Sequence, residues 1–122
     1  MFRNGIYKIS YCQPVADRDI DWSLSEHALA VMRESKLIGA DRHGAVFVGE
    51  PIHSSEALET IRVQLTVPPG GELVNGARVG PQGASITLRG QFDPTLVIQT
   101  THIDLEGVNI ALCVQYLGPL PE

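Results

Sequence analysis

From residue 57 onward, apolar and polar residues alternate one for one, the period of a β-strand with one buried face. Ile61, Val63, Leu65 and Val67 alternate with Arg62, Gln64 and Thr66, and the run stops at Pro68-Pro69-Gly70-Gly71, where proline removes donors and glycine permits a reversal. Ile86, Leu88, Gly90 and Phe92 alternate with Ser85, Thr87, Arg89 and Gln91 as far as Asp93-Pro94. Residues 97–103 are rich in β-branched side chains, and beyond the Glu106-Gly107 turn Val108, Ile110, Leu112, Val114 and Tyr116 share one face. These last two runs read as a hairpin.

The first half repeats the theme. Tyr7, Ile9 and Tyr11 oppose Ile6, Lys8 and Ser10 in a first strand, and residues 12–26 form a polar excursion carrying Asp17, Asp19 and Asp21. Over residues 27–32 two readings stand. Ser23-Leu24-Ser25-Glu26 has capping-box spacing, and Ala28, Leu29, Val31 and Met32 could line a short helix. A strand is preferred, because Arg33-Glu34-Ser35-Lys36 makes a tight turn into Leu37-Ile38. A further turn from Asp41 to Gly44 leads to a strand at 45–48. About seven or eight short antiparallel strands joined mostly by short turns predict an all-β meander that closes into a small barrel. The glycine-rich stretch 69–83 is expected on the barrel rim.

With 122 residues and 43% hydrophobic content, one domain spanning 1–122 can close its own core. The formal charge of -5 and the scattering of its nine Lys and Arg argue against nucleic acid as a partner. No apolar run reaches the roughly 18 residues that span a bilayer, so no membrane association is expected. The start, Met1-Phe2-Arg3-Asn4-Gly5, lacks the pattern of a secretory signal, and two cysteines do not make a disulfide scaffold, so a cytoplasmic location is expected. Cys12 and Cys113 fall in the first and last strands, neighbours in a closed barrel. A redox pair is conceivable, but closure could equally put them on opposite faces, and two buried structural thiols are preferred.

Chemistry is sparse. The four histidines, His27, His43, His53 and His102, lack metal-ligand spacing. Asp41-Arg42-His43 could orient an imidazole, but a polar turn is the preferred reading. Gly80-Pro81-Gln82-Gly83 lacks the lysine of a phosphate loop, and Asp17, Asp19 and Asp21 lack the glycine and distal glutamate of a calcium loop. No catalytic residue, metal site or cofactor is therefore predicted. Trp22, an aromatic in a polar loop, is a candidate contact anchor or a lid over one barrel end. Together with Asp19, Asp21, Asp41 and His43 it forms the candidate contact set. The expected function is non-enzymatic binding of a protein partner or of a small apolar ligand in the barrel. A barrel enzyme using Asp41, His43 or His102 and a structural subunit are the alternatives. Whether the interior packs solid or leaves a cavity is open.

Asn4-Gly5-Ile6-Tyr7-Lys8-Ile9, Lys36-Leu37-Ile38-Gly39-Ala40-Asp41 and Val46-Phe47-Val48-Gly49 resemble the opening of GrlR-like proteins, small negative regulators of type III secretion genes. The resemblance covers about the first fifty residues. It implies an eight-stranded lipocalin-like barrel, a homodimer with an apolar cavity, and regulation by binding a transcriptional activator through an acidic surface motif. The sequence departs at that motif: Glu50-Pro51-Ile52-His53-Ser54-Ser55-Glu56 contains no run of carboxylates.

Overall fold

The alternation becomes eight antiparallel strands in the computed structural model, which describes residues 3–14, 20, 22–41, 44–55, 58–71, 80–105 and 107–121. In chain order these are β1 (Gly5–Cys12), β2 (Glu26–Arg33), β3 (Lys36–Asp41), β4 (Val46–Ser55), β5 (Leu58–Val67), β6 (Ala84–Phe92), β7 (Ile98–Leu105) and β8 (Val108–Gly118). Among the described residues the helical content is one 3-10 turn, Trp22–Leu24, which packs against β1. Residues 26–33 are a strand, not the alternative short helix. Ala28, Ala30 and Met32 are buried while His27, Leu29, Val31 and Arg33 are exposed, a period of two that a helix would not produce. No helix among the described residues is long and apolar enough to cross a membrane.

The sheet order is β6-β5-β4-β3-β2-β1-β8-β7, a six-strand meander with the β7–β8 hairpin laid against β1. Opposite residues in an antiparallel ladder share a face, so the register defines rungs around the barrel. One inward rung runs Tyr7, Ala30, Gly39, Phe47, Leu65 and Ile86. Two small residues, Ala30 and Gly39, stand between Tyr7 and Phe47 along it, and the Phe47 ring occupies the space over Gly39. Pro51, which has no N–H to give a ladder, sits where the β4–β5 register shifts. The two-residue turn between β2 and β3 places Glu34 and Ser35 at φ of 51° and 64°, the left-handed pair that suits the twist of a tight hairpin.

The end strands β6 and β7 approach each other to leave a nearly closed barrel. Among the described residues no main-chain ladder joins them, and side chains bridge the seam instead. Thr101 donates its hydroxyl to the Gln91 carbonyl at 3.2 Å. Gln99 donates from Nε2 to the Asp93 carbonyl at 2.7 Å and accepts the Asp93 N–H at 2.9 Å. The Asp93 carboxylate accepts the hydroxyl and the N–H of Thr95, bonds that hold its pKa below the ordinary value.

One end of the barrel is plugged by Tyr7, Met32, Ile61, Phe92 and Val114, with Tyr116 packed against them. Tyr7 donates its hydroxyl to the Arg3 carbonyl at 2.8 Å, and the Arg3 guanidinium lies 5.0 Å from the centre of the Tyr116 ring. The Tyr7 and Tyr116 rings stand 5.3 Å apart at 60°. Burial pushes the Tyr7 pKa up, and the neighbouring Tyr116 adds to the rise. A second cluster, Ala45, Val67, Leu105 and Ile110, tightens the strands at the other end.

Candidate functional site

Eight strands make a barrel whose interior is just wide enough to be filled by side chains or to hold one small ligand. Here the inward positions of β2, β3, β4 and β6 include Ala28, Ala30, Gly39, Gly49 and Gly90, which are too small to meet across the axis. The result is a cavity of about 710 Å³, within the range that takes a drug-sized ligand. Its wall is mainly aliphatic and aromatic, including Ile9, Phe47, Val63, Leu88, Ile103 and Leu112.

Polar groups collect at one end. Tyr11 on β1 faces Glu26 on β2, and one rung further Ala28 faces Asp41 on β3. The small Ala28 side chain lets Tyr11 reach across β2 and donate its hydroxyl to Asp41 Oδ2 at 2.8 Å. Asp41 Oδ1 accepts the Ala45 N–H at 3.0 Å, and the Asp41 main chain pairs with the Ala45 and Gly44 main chains. The carboxylate is thereby fixed by the turn and by the tyrosine. Gln13 and the Gly70-Gly71 pair border the same end, where Gly71 N–H donates to the Pro68 carbonyl and Gly70 N–H to the Gly80 carbonyl. That pinched neck places both ends of the 69–83 stretch at the barrel rim. Residues 72–79 lie outside the described residues.

Of the contact set read from the sequence, Asp41 lines the cavity. Trp22 is half-buried in the 3-10 turn, where its carbonyl accepts the N–H and hydroxyl of Ser25. Asp19, Asp21 and His43 lie outside the described residues. His102 is exposed on the outer side of β7, opposite Ala111, so the fold separates it from Asp41. His27 and His53 are also exposed, and His27 Nδ1 lies 3.0 Å from the Ser10 hydroxyl. Cys12 and Cys113 form no disulfide, and they face Ala111 and Ser10 respectively across the β1–β8 ladder. Tyr11 and Glu26 had no local signal. Only the register brings them to Asp41.

The outer face carries a second feature. Leu29, Val31, Ile38, Val46 and Val48 are all exposed, and the ladders place them side by side on β2, β3 and β4, with Leu29 at 59% and Ile38 at 55% exposure. Lys8 on β1, Gln64 and Thr66 on β5 and the Arg33–Lys36 pair beside the β2–β3 turn give the patch a polar border, while half-buried Ile6 on β1 lies opposite Val31. Beyond Gln64, Arg62 pairs with Glu50. Scattered exposed apolar residues are ordinary; a contiguous apolar face marks a contact surface.

The site therefore belongs to an eight-stranded antiparallel barrel with a hollow, mainly apolar interior and a polar end built from Tyr11, Glu26 and Asp41. No family model matches the chain, and no curated protein matches it.

Proposed function

We propose that this protein works by binding, carrying a small apolar or amphipathic molecule inside the barrel. The cavity carries this reading: about 710 Å³ of mainly apolar interior that the chain's own side chains do not fill. Enclosing that much apolar surface without an occupant forfeits dispersion contacts, which a ligand restores. The exposed position of the described histidines, away from the cavity, favours binding over turnover. Two cysteines that form no disulfide agree with a reducing cytoplasmic compartment.

The test is titration with N-phenyl-1-naphthylamine, a neutral fluorophore that brightens in apolar sites. One molecule binds per chain. Leu88→Trp puts an indole into the cavity and lowers the affinity at least tenfold, while the melting temperature moves by less than about 5 °C because a void receives the ring. Unchanged binding by this folded variant contradicts the reading.

A second copy of the chain is the partner we propose for the outer face of β2–β4. The five exposed side chains offer on the order of 450 Å² of apolar surface, about half of the ~800 Å² per partner in a standard interface, and the polar neighbours supply a rim. A patch without ionisable groups packs against its own copy with no like-charge penalty, as a two-fold dimer requires. Sedimentation equilibrium at micromolar concentration reads twice the chain mass. The resemblance of the first fifty residues to GrlR-like proteins is in keeping with the same combination of dimer and cavity, and with a regulatory role exercised by holding a partner.

A further inference from the structure

We infer that the ligand enters and leaves through the side wall of the barrel, by a parting of β6 from β7. This rests on the barrel being a ligand carrier, and adds the route that governs its loading.

Three observations combine. Every other junction between neighbouring strands is a main-chain ladder, and parting one breaks a row of N–H to carbonyl bonds. At the β6–β7 seam the side chains of Thr101 and Gln99 make the bridge, at the Gln91 carbonyl and the Asp93 main chain, so this junction opens at the lowest cost. The second observation is how far the cavity reaches. Along a strand that only faces a cavity, alternate residues line it, as Ile61, Val63, Leu65 and Val67 do on β5. On β6 three consecutive residues, Leu88, Arg89 and Gly90, line it, although Arg89 is exposed and stands opposite exposed Arg62. A cavity meets residues of both faces in mid-strand where it reaches the strand's edge, and the free edge of β6 is the seam. The third is what closes the passage. A Cβ on Gly90 would lie 2.8 Å from the Phe92 ring and 3.2 Å from Ile103 Cγ2, so the inner side is shut by two cavity-lining side chains that can change rotamer. At the outer end of the seam Leu96, Val97 and Ile98 are exposed and give an apolar approach. The Val97 carbonyl accepts the Tyr116 N–H at 2.7 Å, so β7 stays with β8 while β6 moves with β5.

The experiment staples the seam and times the probe. Gln91→Cys and His102→Cys, exposed positions on either side of it, are joined by bismaleimidoethane in a Cys12→Ala, Cys113→Ser background. Stopped-flow mixing with N-phenyl-1-naphthylamine over a range of protein concentrations gives both rate constants. A gate changes the two by one factor and leaves their ratio, so the staple slows binding and release at least tenfold each while the Kd stays within threefold. Gln99→Ala combined with Thr101→Ala removes the bridging side chains, which do not line the cavity, and speeds both steps at least threefold at the same Kd. A control staple between Gln64→Cys and Thr87→Cys, opposite each other on the β5–β6 ladder, leaves both rates within twofold. Unchanged rates with the seam stapled place the route at an end of the barrel and overturn the proposal, as does equal slowing by the control staple. Failure of the probe to bind the unaltered protein overturns the carrier reading itself, a result distinct from binding whose rates ignore the seam.

Discussion

Gly39→Ala destabilises the barrel by about 2–3 kcal/mol and lowers the melting temperature by roughly 10 °C. A Cβ at residue 39 would sit within the van der Waals envelope of the Phe47 ring and 2.8 Å from the Leu29 carbonyl oxygen. The ring can swing aside only by leaving the rung it shares with Ala30 and Leu65, and the Leu29 carbonyl belongs to the β2 main chain and cannot follow. Replacing glycine in a strand normally gains a few tenths to 1 kcal/mol, so the clash decides the sign. Phe47→Leu in the Gly39→Ala background removes the conflict and recovers part of the loss, the coupling expected of two residues in contact. Gly80→Ala, where a Cβ meets nothing within 4 Å, changes stability by less than about 0.5 kcal/mol. Thermal denaturation followed by circular dichroism checks all three.

The largest effect on association comes from Ile38→Lys. Ile38 lies at the centre of the exposed apolar face, between Val31 on β2 and Val48 on β4. In the separated chain this position is more than half exposed, so a lysine there meets water and the fold keeps its stability to within about 0.5 kcal/mol. In a two-fold dimer the substitution enters the interface twice, and each ammonium loses its hydration among apolar side chains. The dimer weakens at least a hundredfold, and sedimentation equilibrium reads a single chain. Gln64→Lys on the polar rim weakens it by less than tenfold, because rim charges stay in water. An unaltered protein that sediments as a single chain at tens of micromolar contradicts the assignment of this face to a second copy.

How much of this was legible beforehand depends on which physical signal each part uses. The strands after residue 57 alternate cleanly because one face is buried and the other wet. The observed β5, β6, β7 and β8 differ from the sequence reading mainly by a few residues at their ends. β4 was underread. The alternation reaches only Val48, yet the strand runs to Ser55, because pairing with β5 carries Pro51, His53, Ser54 and Ser55 past a register shift that local propensity does not favour. Over 27–32 the composition suited either period, and the turn at Glu34-Ser35 decided for a strand by offering a neighbour on β3. The cavity could not be read until the register was known. Ala28, Ala30, Gly39, Gly49 and Gly90 look unremarkable one at a time and become a hollow only when the ladders turn all five inward. Beside His43, Asp41 reads as a turn residue, and that is half of its role. Its carboxylate does cap the turn at Ala45, but its other oxygen faces the barrel and meets Tyr11, thirty positions earlier in the chain and two strands away.

The interior and the outer face both expose apolar surface, so the measurement that tests the central claim must separate them. Intermolecular nuclear Overhauser effects from bound N-phenyl-1-naphthylamine to methyl-labelled protein do so. The inward methyls of Val63, Leu88, Ile103 and Leu112 line the cavity, while Leu29, Ile38 and Val48 point to the outside. The hollow-carrier account predicts strong effects to the first group and none to the second. Effects confined to the outer group, or to neither, would show that the barrel does not hold its ligand inside and would contradict the account.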